Sequence, residues 1–407
     1  MILRLHSPFI IHNSQLRLPG SKSETNRLLL LQALYPEISL QNISDADDVL
    51  AMRNALQSVS DTIDIGHAGT AMRFLTAYFA IQENRTVTLM GSPRMHERPI
   101  GILVDALRQL GARIDYLGAE GFPPLRITGT KLTGSKVTLR ADVSSQFLSA
   151  LLLIAPKLEN GLELQLDGEI TSRPYLEMTL SLLRKIGVET SFNSQTITVK
   201  RTVSVAHCAL SVESDWSSAS YYYSIVALSE IGTEITLSTF KENSFQGDRA
   251  LVEIYKDFGV ETVFNAGKIT IRKAHNSPLS IVHYPLNNVP DLAQTIAVTC
   301  LGLGIGCELS GLHTLKIKET DRLLALKNEF EKLGATVVIS EDCLTMRPAA
   351  IHSNIAIETY HDHRMALAFA PLALKVPIVI QSAEVVSKSY PKFWNDLRRI
   401  GFSIAEM

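Results

Sequence analysis

Leu107-Arg108-Gln109-Leu110-Gly111-Ala112 decides the fold, because its pattern returns four more times along the chain. The other copies are Leu183-Arg184-Lys185-Ile186-Gly187-Val188, Tyr255-Lys256-Asp257-Phe258-Gly259-Val260, Phe330-Glu331-Lys332-Leu333-Gly334-Ala335 and Leu397-Arg398-Arg399-Ile400-Gly401-Phe402. In each, an amphipathic segment closes on an apolar residue, two polar ones, another apolar residue and then glycine. The glycines lie 76, 72, 75 and 67 residues apart. Glycine there suits the left-handed position that ends a helix, and the Val/Ile/Thr-rich stretches behind it suit strands.

A second series interleaves with the first. Very apolar helices are predicted to start in short polar clusters at Ser21-Lys22-Ser23, Gly69-Thr70, Ser144-Ser145-Gln146, Ser217-Ser218, Pro290-Asp291 and Asp362-His363-Arg364. The runs behind them, such as Leu28–Leu34 and Thr295–Gly304, are apolar on most faces and read as fully buried. The chain thus reads as about six copies of one helix-and-strand unit, each of roughly 70 residues. Its 407 residues exceed one ordinary core, so an α/β chain of two domains, three units in each, is expected.

Six buried helices with marked N-termini offer six sets of free backbone N–H groups and positive dipole ends. If the helices run parallel within each domain, their starts line one face, and two such faces closing together would bind anions strongly. Each cluster taken singly also describes an ordinary helix cap.

Composition limits the alternatives. Hydrophobic residues make up 46% and charged residues 20%, a globular balance, and a net charge of −2 advertises neither nucleic acid nor an anionic membrane as a partner. No run reaches the ~20 apolar residues of a membrane span. Residues 1–22 read as strand followed by turn and lack a signal peptide's basic start and apolar run. Cys208, Cys300, Cys307 and Cys343 are scattered without CxxC spacing, as free thiols in a reducing cytoplasm would be.

Several clusters could carry chemistry. Lys22 and Arg27 can both reach an anion held at a helix start. Gly69 lets a small anionic ligand approach the backbone, and Arg94 supplies a guanidinium. Ser144, Ser145, Gln146, Ser172 and Tyr175 are hydrogen-bonding groups suited to a phosphate and a polyol. In Lys316-Ile317-Lys318-Glu319-Thr320-Asp321-Arg322, Lys318 and Arg322 share a face if the segment is helical, with Glu319 beside them. Asp291 precedes a very apolar run, where it is either a carboxylate tuned by nearby cations or a cap. His361-Asp362-His363 has a metal-like spacing without an accompanying ligand set, so no metal and no cofactor are expected.

In order and spacing, PGSKSETNR (19–27), GHAGTAMR (66–73), PRMHERPIG (93–101), SSQFLSALL (144–152), SRPY (172–175), PDLAQTIA (290–297), KETDRL (318–323) and YHDHRMA (360–366) closely resemble the motifs of the 3-phosphoshikimate 1-carboxyvinyltransferases, or EPSP synthases. The resemblance runs from about residue 15 to residue 395. It implies a two-domain inside-out α/β barrel, each domain made of three βαβαββ repeats with buried parallel helices. Residues 20–215 would form the shikimate 3-phosphate domain, and 1–19 with 216–407 the second, completing the phosphoenolpyruvate site in a cleft that closes on substrate. Lys22, Ser23, Arg27, Ser144, Ser145, Gln146, Ser172, Tyr175, Asp291 and Lys318 fall where the family holds shikimate 3-phosphate. Lys22, Gly69, Arg94, Gln146, Arg322, Arg364 and Lys388 fall where it holds phosphoenolpyruvate.

The chain departs from the family pattern at four positions. His67 stands for Asn and Phe74 for Pro, both expected to alter the phosphoenolpyruvate pocket wall; Thr314 stands for Asn, and Trp216 for a small residue at the domain crossover. The implied reaction is addition followed by elimination, in a cytoplasmic monomer. Asp291 would accept the hydroxyl proton, and Glu319 or Lys22 would handle the proton at C3. A transferase acting on UDP-N-acetylglucosamine would carry a Cys in the loop near residues 90–100 and Lys-Asn at the first cluster, where this chain has Arg94 and Lys22-Ser23. A non-catalytic phosphometabolite-binding protein of the same fold would be better without Asp291 and Glu319.

Overall fold

A computed structural model describes residues 1–6, 14–142, 144–168 and 170–407, so part of the strand and turn expected at the start, residues 7–13, lies outside the described residues. The chain packs as two units, Gly20–Val212 and Met1–Pro19 with Glu213–Met407. The second crossing falls at 212/213 rather than 215/216. Its cause is local: Glu213 accepts hydrogen bonds from Trp216 Nε1, Lys241 N and Ser244 Oγ, and Asp215 N donates to Pro19 O. All of these partners belong to the second unit.

The unit Gly20–Val212 contains α1 (Lys22–Leu34), α2 (Asp47–Gln57), α3 (Gly69–Ala80), α4 (Gly101–Gln109), α5 (Ser145–Ile154) and α6 (Arg173–Lys185). The other contains α7 (Trp216–Leu228), α8 (Leu251–Ile254), α9 (Ala293–Leu303), α10 (Arg322–Lys332), α11 (His363–Phe369) and α12 (Phe393–Arg399). Each unit has its own hydrophobic core, in which α1, α3 and α5, or α7, α9 and α11, pack on one another. These are the helices whose polar starts were legible in sequence.

Around each core stand small sheets of one design. Thr62–Asp64 runs parallel to Thr86–Met90 with α3 between them in the chain; α4 follows, and Arg113–Tyr116 and Leu125–Thr128 complete the sheet as an antiparallel hairpin. Among the described residues five four-stranded sheets follow this plan. Two are completed across long sequence distances. Ser14–Arg17 pairs with Glu234–Ser238, so the whole other unit is inserted between them, and Leu3–His6 supplies the last strand beside Ile378–Ile380 and Ser403–Glu406. The sixth sheet is reduced to the parallel pair Ile38–Gln41 and Cys208–Ser211.

The five glycine markers belong to the five complete sheets. Gly111, Gly187, Gly259, Gly334 and Gly401 have φ of +105°, +88°, +75°, +100° and +112°, each turning the chain from a helix into a strand. In the sixth copy α2 ends at Ser58 with extended backbone and leads into the next sheet, so no left-handed reversal is needed.

The requirement for glycine differs in strength between sites. A Cβ on Gly187 would meet nothing within 4 Å, whereas one on Gly259 would lie 1.9 Å from His275 O. Gly187→Ala is expected to cost only the left-handed penalty, about 1–2 kcal/mol, and Gly259→Ala at least about 1–3 kcal/mol more, because the backbone itself must move. Urea-unfolding midpoints of the two variants test the order; an equal loss would refute it.

Candidate functional site

In α3, α5 and α7 every residue is buried but one, and the exceptions are Thr70, Gln146 and Ser217, all in the first turn. Helices wrapped in apolar side chains can present polar groups only at their ends. In the unit Gly20–Val212, Ser21 and Ser144 cap α1 and α5, while α3 has no side-chain cap. Gln146 Nε2 donates to Thr70 Oγ1 at 3.1 Å, joining the starts of α5 and α3 beside Gly69.

Arg27 lies one turn into α1. Its guanidinium donates to Thr179 Oγ1 (2.8 Å), Ser149 Oγ (3.0 Å), Ser23 O (2.9 Å) and Tyr175 O (3.5 Å), all neutral acceptors. The rings of Phe74 and Tyr175 lie 5.4 and 5.9 Å from it. Burial lowers its pKa to about 10, opposed by Tyr175 and Glu24. Lys22 pairs with the buried Asp48 at 3.0 Å. Gly69 lies against the buried Arg98, whose Nη1 would be 2.5 Å from a Cβ there, and Arg98 Nε has no hydrogen-bond partner. Arg94 pairs with Glu97 at 2.7 Å on an exposed 3₁₀ turn. Ser23 and Ser145 stand in first turns, and Ser172 precedes α6 with φ +57°.

In the other unit, charges pair with charges. Arg322, 2% exposed, donates to Asp291 (2.8 Å), Glu319 (2.9 Å) and Asp362 (2.6 Å). Asp291 also meets Lys318 at 3.4 Å and Arg364 at 3.3 Å, and Glu319 meets Lys388 at 3.2 Å. Burial pushes the Asp291 carboxyl up, but Lys318, Arg364 and Arg322 together hold it well below the usual carboxylate range. Burial lowers the Lys318 pKa, against the pull of Asp291. Asp248, beneath this cluster, accepts from Ser217 Oγ, and burial raises it to about 6 while Arg364 and Ser217 oppose the rise.

One expectation of local structure is corrected here. Lys318 and Arg322 do not share a helix face, because Asp321 caps α10 through Leu323 N and Leu324 N and the helix starts at Arg322. Asp291 joins the two cations instead. The metal-like spacing of His361 and His363 resolves into a cap: Asp362 bonds Arg364 N at the start of α11 and is held by Arg322. Among the described residues no group of three or more His, Cys, Asp or Glu could hold a metal ion.

Sequence reasoning gave no role to Asp48, Arg98, Asp248 or Asp362. Asp362 had a signal, standing just before a very apolar run as Asp291 does. Asp48 reads as an ordinary acidic first turn of α2, and nothing local marks Arg98 or Asp248.

The family model described as EPSP synthase (3-phosphoshikimate 1-carboxyvinyltransferase) matches residues 57–397. The chain is 47% identical over 396 residues to a 3-phosphoshikimate 1-carboxyvinyltransferase of Bacteroides fragilis, covering 96% of this chain and 95% of that one. It is 36% identical over 430 residues to that of Haemophilus influenzae, covering 97% and 98%. The chain belongs to the EPSP synthase family. Its fold matches the EPSP synthase of Acinetobacter baumannii with a TM-score of 0.80 at 21% identity, covering 100% of both chains. It also matches the enolpyruvyl transferase NikO of Streptomyces tendae, at 0.74 and 14%, over 100% and 98%. The EPSP synthase fold is thus this chain's fold: mixed α/β, with two units of small sheets around buried helices, the sixth sheet being reduced.

Against the EPSP synthase pattern the four departures find places. His67 Nδ1 lies 2.9 Å from Ser92 Oγ, tying the loop before α3 to the loop carrying Arg94. Phe74 packs against Arg27. Thr314 is buried with Oγ1 unpartnered, and Trp216 is a core plug, edge-on to Phe240 at 4.9 Å.

Arg322 tests the charge cluster. Arg322→Met leaves buried carboxylates uncompensated and should cost about 3–5 kcal/mol at neutral pH. In the wild type Asp291 is depressed, so its contribution is present above ~pH 4 and lost on acidification. In the variant Asp291 keeps only Lys318 and Arg364 and is depressed less, so less stability is lost on acidification. The gap in melting temperature should therefore narrow with acid; a gap independent of pH would refute the account.

Proposed function

We propose that this chain transfers the enolpyruvyl group of phosphoenolpyruvate to the 5-hydroxyl of shikimate 3-phosphate. The observation that carries the reading, beyond family membership, is that Asp291 and Glu319, half-buried carboxylates, are both ion-paired with several cations. A pure anion trap gains nothing from two carboxylates there. An acid–base enzyme needs them.

In the addition, C3 of phosphoenolpyruvate takes a proton, the 5-oxygen bonds to C2, and the hydroxyl proton passes to a base. In the elimination, the bond from C2 to the phosphate oxygen breaks, a C3 proton leaves, and the double bond reforms with release of phosphate. We assign the hydroxyl proton to Asp291 and the C3 proton to Glu319. Lys22, ion-paired with Asp48, suits a fixed cation better than a proton donor. Arg27, Lys318, Tyr175 and the serines would hold shikimate 3-phosphate; Arg322, Arg364, Lys388, Arg94, Gln146 and Gly69 would hold phosphoenolpyruvate.

This assignment explains why so strong an acid as Asp291 can serve as a base. Ligand phosphate and carboxylate groups compete for Lys318, Arg322 and Arg364, and each cation drawn away raises Asp291 towards its ordinary value. Basicity would thus develop only in the loaded site. Four free cysteines support a cytoplasmic placing, and among the described residues no helix is long and apolar enough to cross a membrane.

The deciding assay is phosphate release from phosphoenolpyruvate that requires shikimate 3-phosphate and persists in a chelator. In that assay Asp291→Asn should lower kcat by about 10²–10⁴, with a much smaller change in the Kd of shikimate 3-phosphate. Unchanged turnover would remove Asp291 from the mechanism. Ligand anions shared between cations of the two units should also draw the units together, so the scattering radius of gyration should fall with both substrates; superimposable profiles would refute closure.

A further inference from the structure

Tyr360 and His361 are consecutive non-glycine residues in the left-handed region, with φ of +52° and +55°. Such residues persist only where the surroundings over-determine them. The next residues are Asp362, which grips Arg322, and, two further on, Arg364, which reaches Asp291. The strained turn therefore sets the placement of two cations assigned to phosphoenolpyruvate.

Glu329 holds that turn. It lies on α10 two turns beyond Arg322 and is fully buried, whereas a charged residue on an amphipathic helix is ordinarily solvated. Its Oε1 accepts from Tyr360 OH at 2.6 Å and its Oε2 from Glu358 N at 3.2 Å. Lys332 Nζ donates to both oxygens at 2.9 Å and balances the charge. Asn328 Nδ2 reaches Tyr360 OH at 3.5 Å. Helix α10 thus grips residues 358–362 at two points, through Glu329 at one end and Arg322 at the other.

We propose that Glu329 is a positioning residue for the phosphoenolpyruvate half of the site, acting through Tyr360 to hold the left-handed turn that orients Asp362 and Arg364. The proposal rests on the assignment of Arg322 and Arg364 made above. Glu329 touches no substrate. Its effect is on where the guanidinium groups point, so it should appear in the KM for phosphoenolpyruvate and spare that for shikimate 3-phosphate.

The test uses the full chain carrying Tyr360→Phe, Glu329→Gln, or Glu329→Gln with His361→Gly. Phosphate release at saturating shikimate 3-phosphate should show the KM for phosphoenolpyruvate raised about tenfold in each single variant, since small displacements of charged groups cost heavily in such sites. Glycine adopts the left-handed conformation without penalty, so adding His361→Gly should recover most of the loss. An unchanged KM in Tyr360→Phe, or no recovery on adding glycine, overturns the proposal. Should Glu329→Gln fail to fold, Tyr360→Phe decides alone, since it removes one hydroxyl. Should the wild type itself release no phosphate, the functional reading has failed, and amide exchange decides the positioning claim. Exchange over residues 358–364 should be faster in Tyr360→Phe; unchanged rates there refute it.

Discussion

One guanidinium ties the unit Met1–Pro19 with Glu213–Met407 together at the starts of its buried helices. Arg322 opens α10 and bonds Asp291 ahead of α9, Asp362 ahead of α11, and Glu319, which in turn holds Lys388. Elements from two successive helix-and-strand repeats are thereby set relative to one another. Such a network is a poor way to gain stability, because desolvating the charges offsets most of their attraction, and well-packed apolar groups often do as well. Its retention at the ends of apolar helices makes sense only if the charges have another use.

The two units solve the problem of buried cations differently. Arg27 is surrounded by hydroxyls, carbonyls and aromatic faces, and its lowered pKa reflects burial with little compensation. Such a site keeps its positive charge available for an anion. Arg322 and Arg364 are matched by carboxylates, so their site is closer to neutral and an anion must displace an internal partner. The first arrangement suits binding before chemistry. On the proposed assignment the second would couple binding to release of a carboxylate, as a base that must stay inactive until loaded requires.

Much of this was legible in sequence because repetition multiplies weak signals. One glycine after an amphipathic segment says little, but five at similar spacing give five helix ends, and all five have positive φ. The six polar starts likewise all open core helices. The reduced sixth sheet was illegible for the same reason: its marker is missing because the hairpin that needs it is missing. Lys388 and the division of cations between two ligands came only through family resemblance. Neither leaves a periodic trace.

Glu329 shows why the rest stayed hidden. In sequence it is one of several charges in Lys327-Asn328-Glu329-Phe330-Glu331-Lys332, which reads as a solvated helix face, and for Glu331 that reading is right. The two glutamates differ because residues 358–362 close over one and not the other, and that closure depends on Arg322 and Asp362 meeting from α10 and α11. A side chain's role is set here by an ion pair two helical turns away on its own helix. Local pattern can place such a residue on a face, but only the tertiary contact says whether the face is wet.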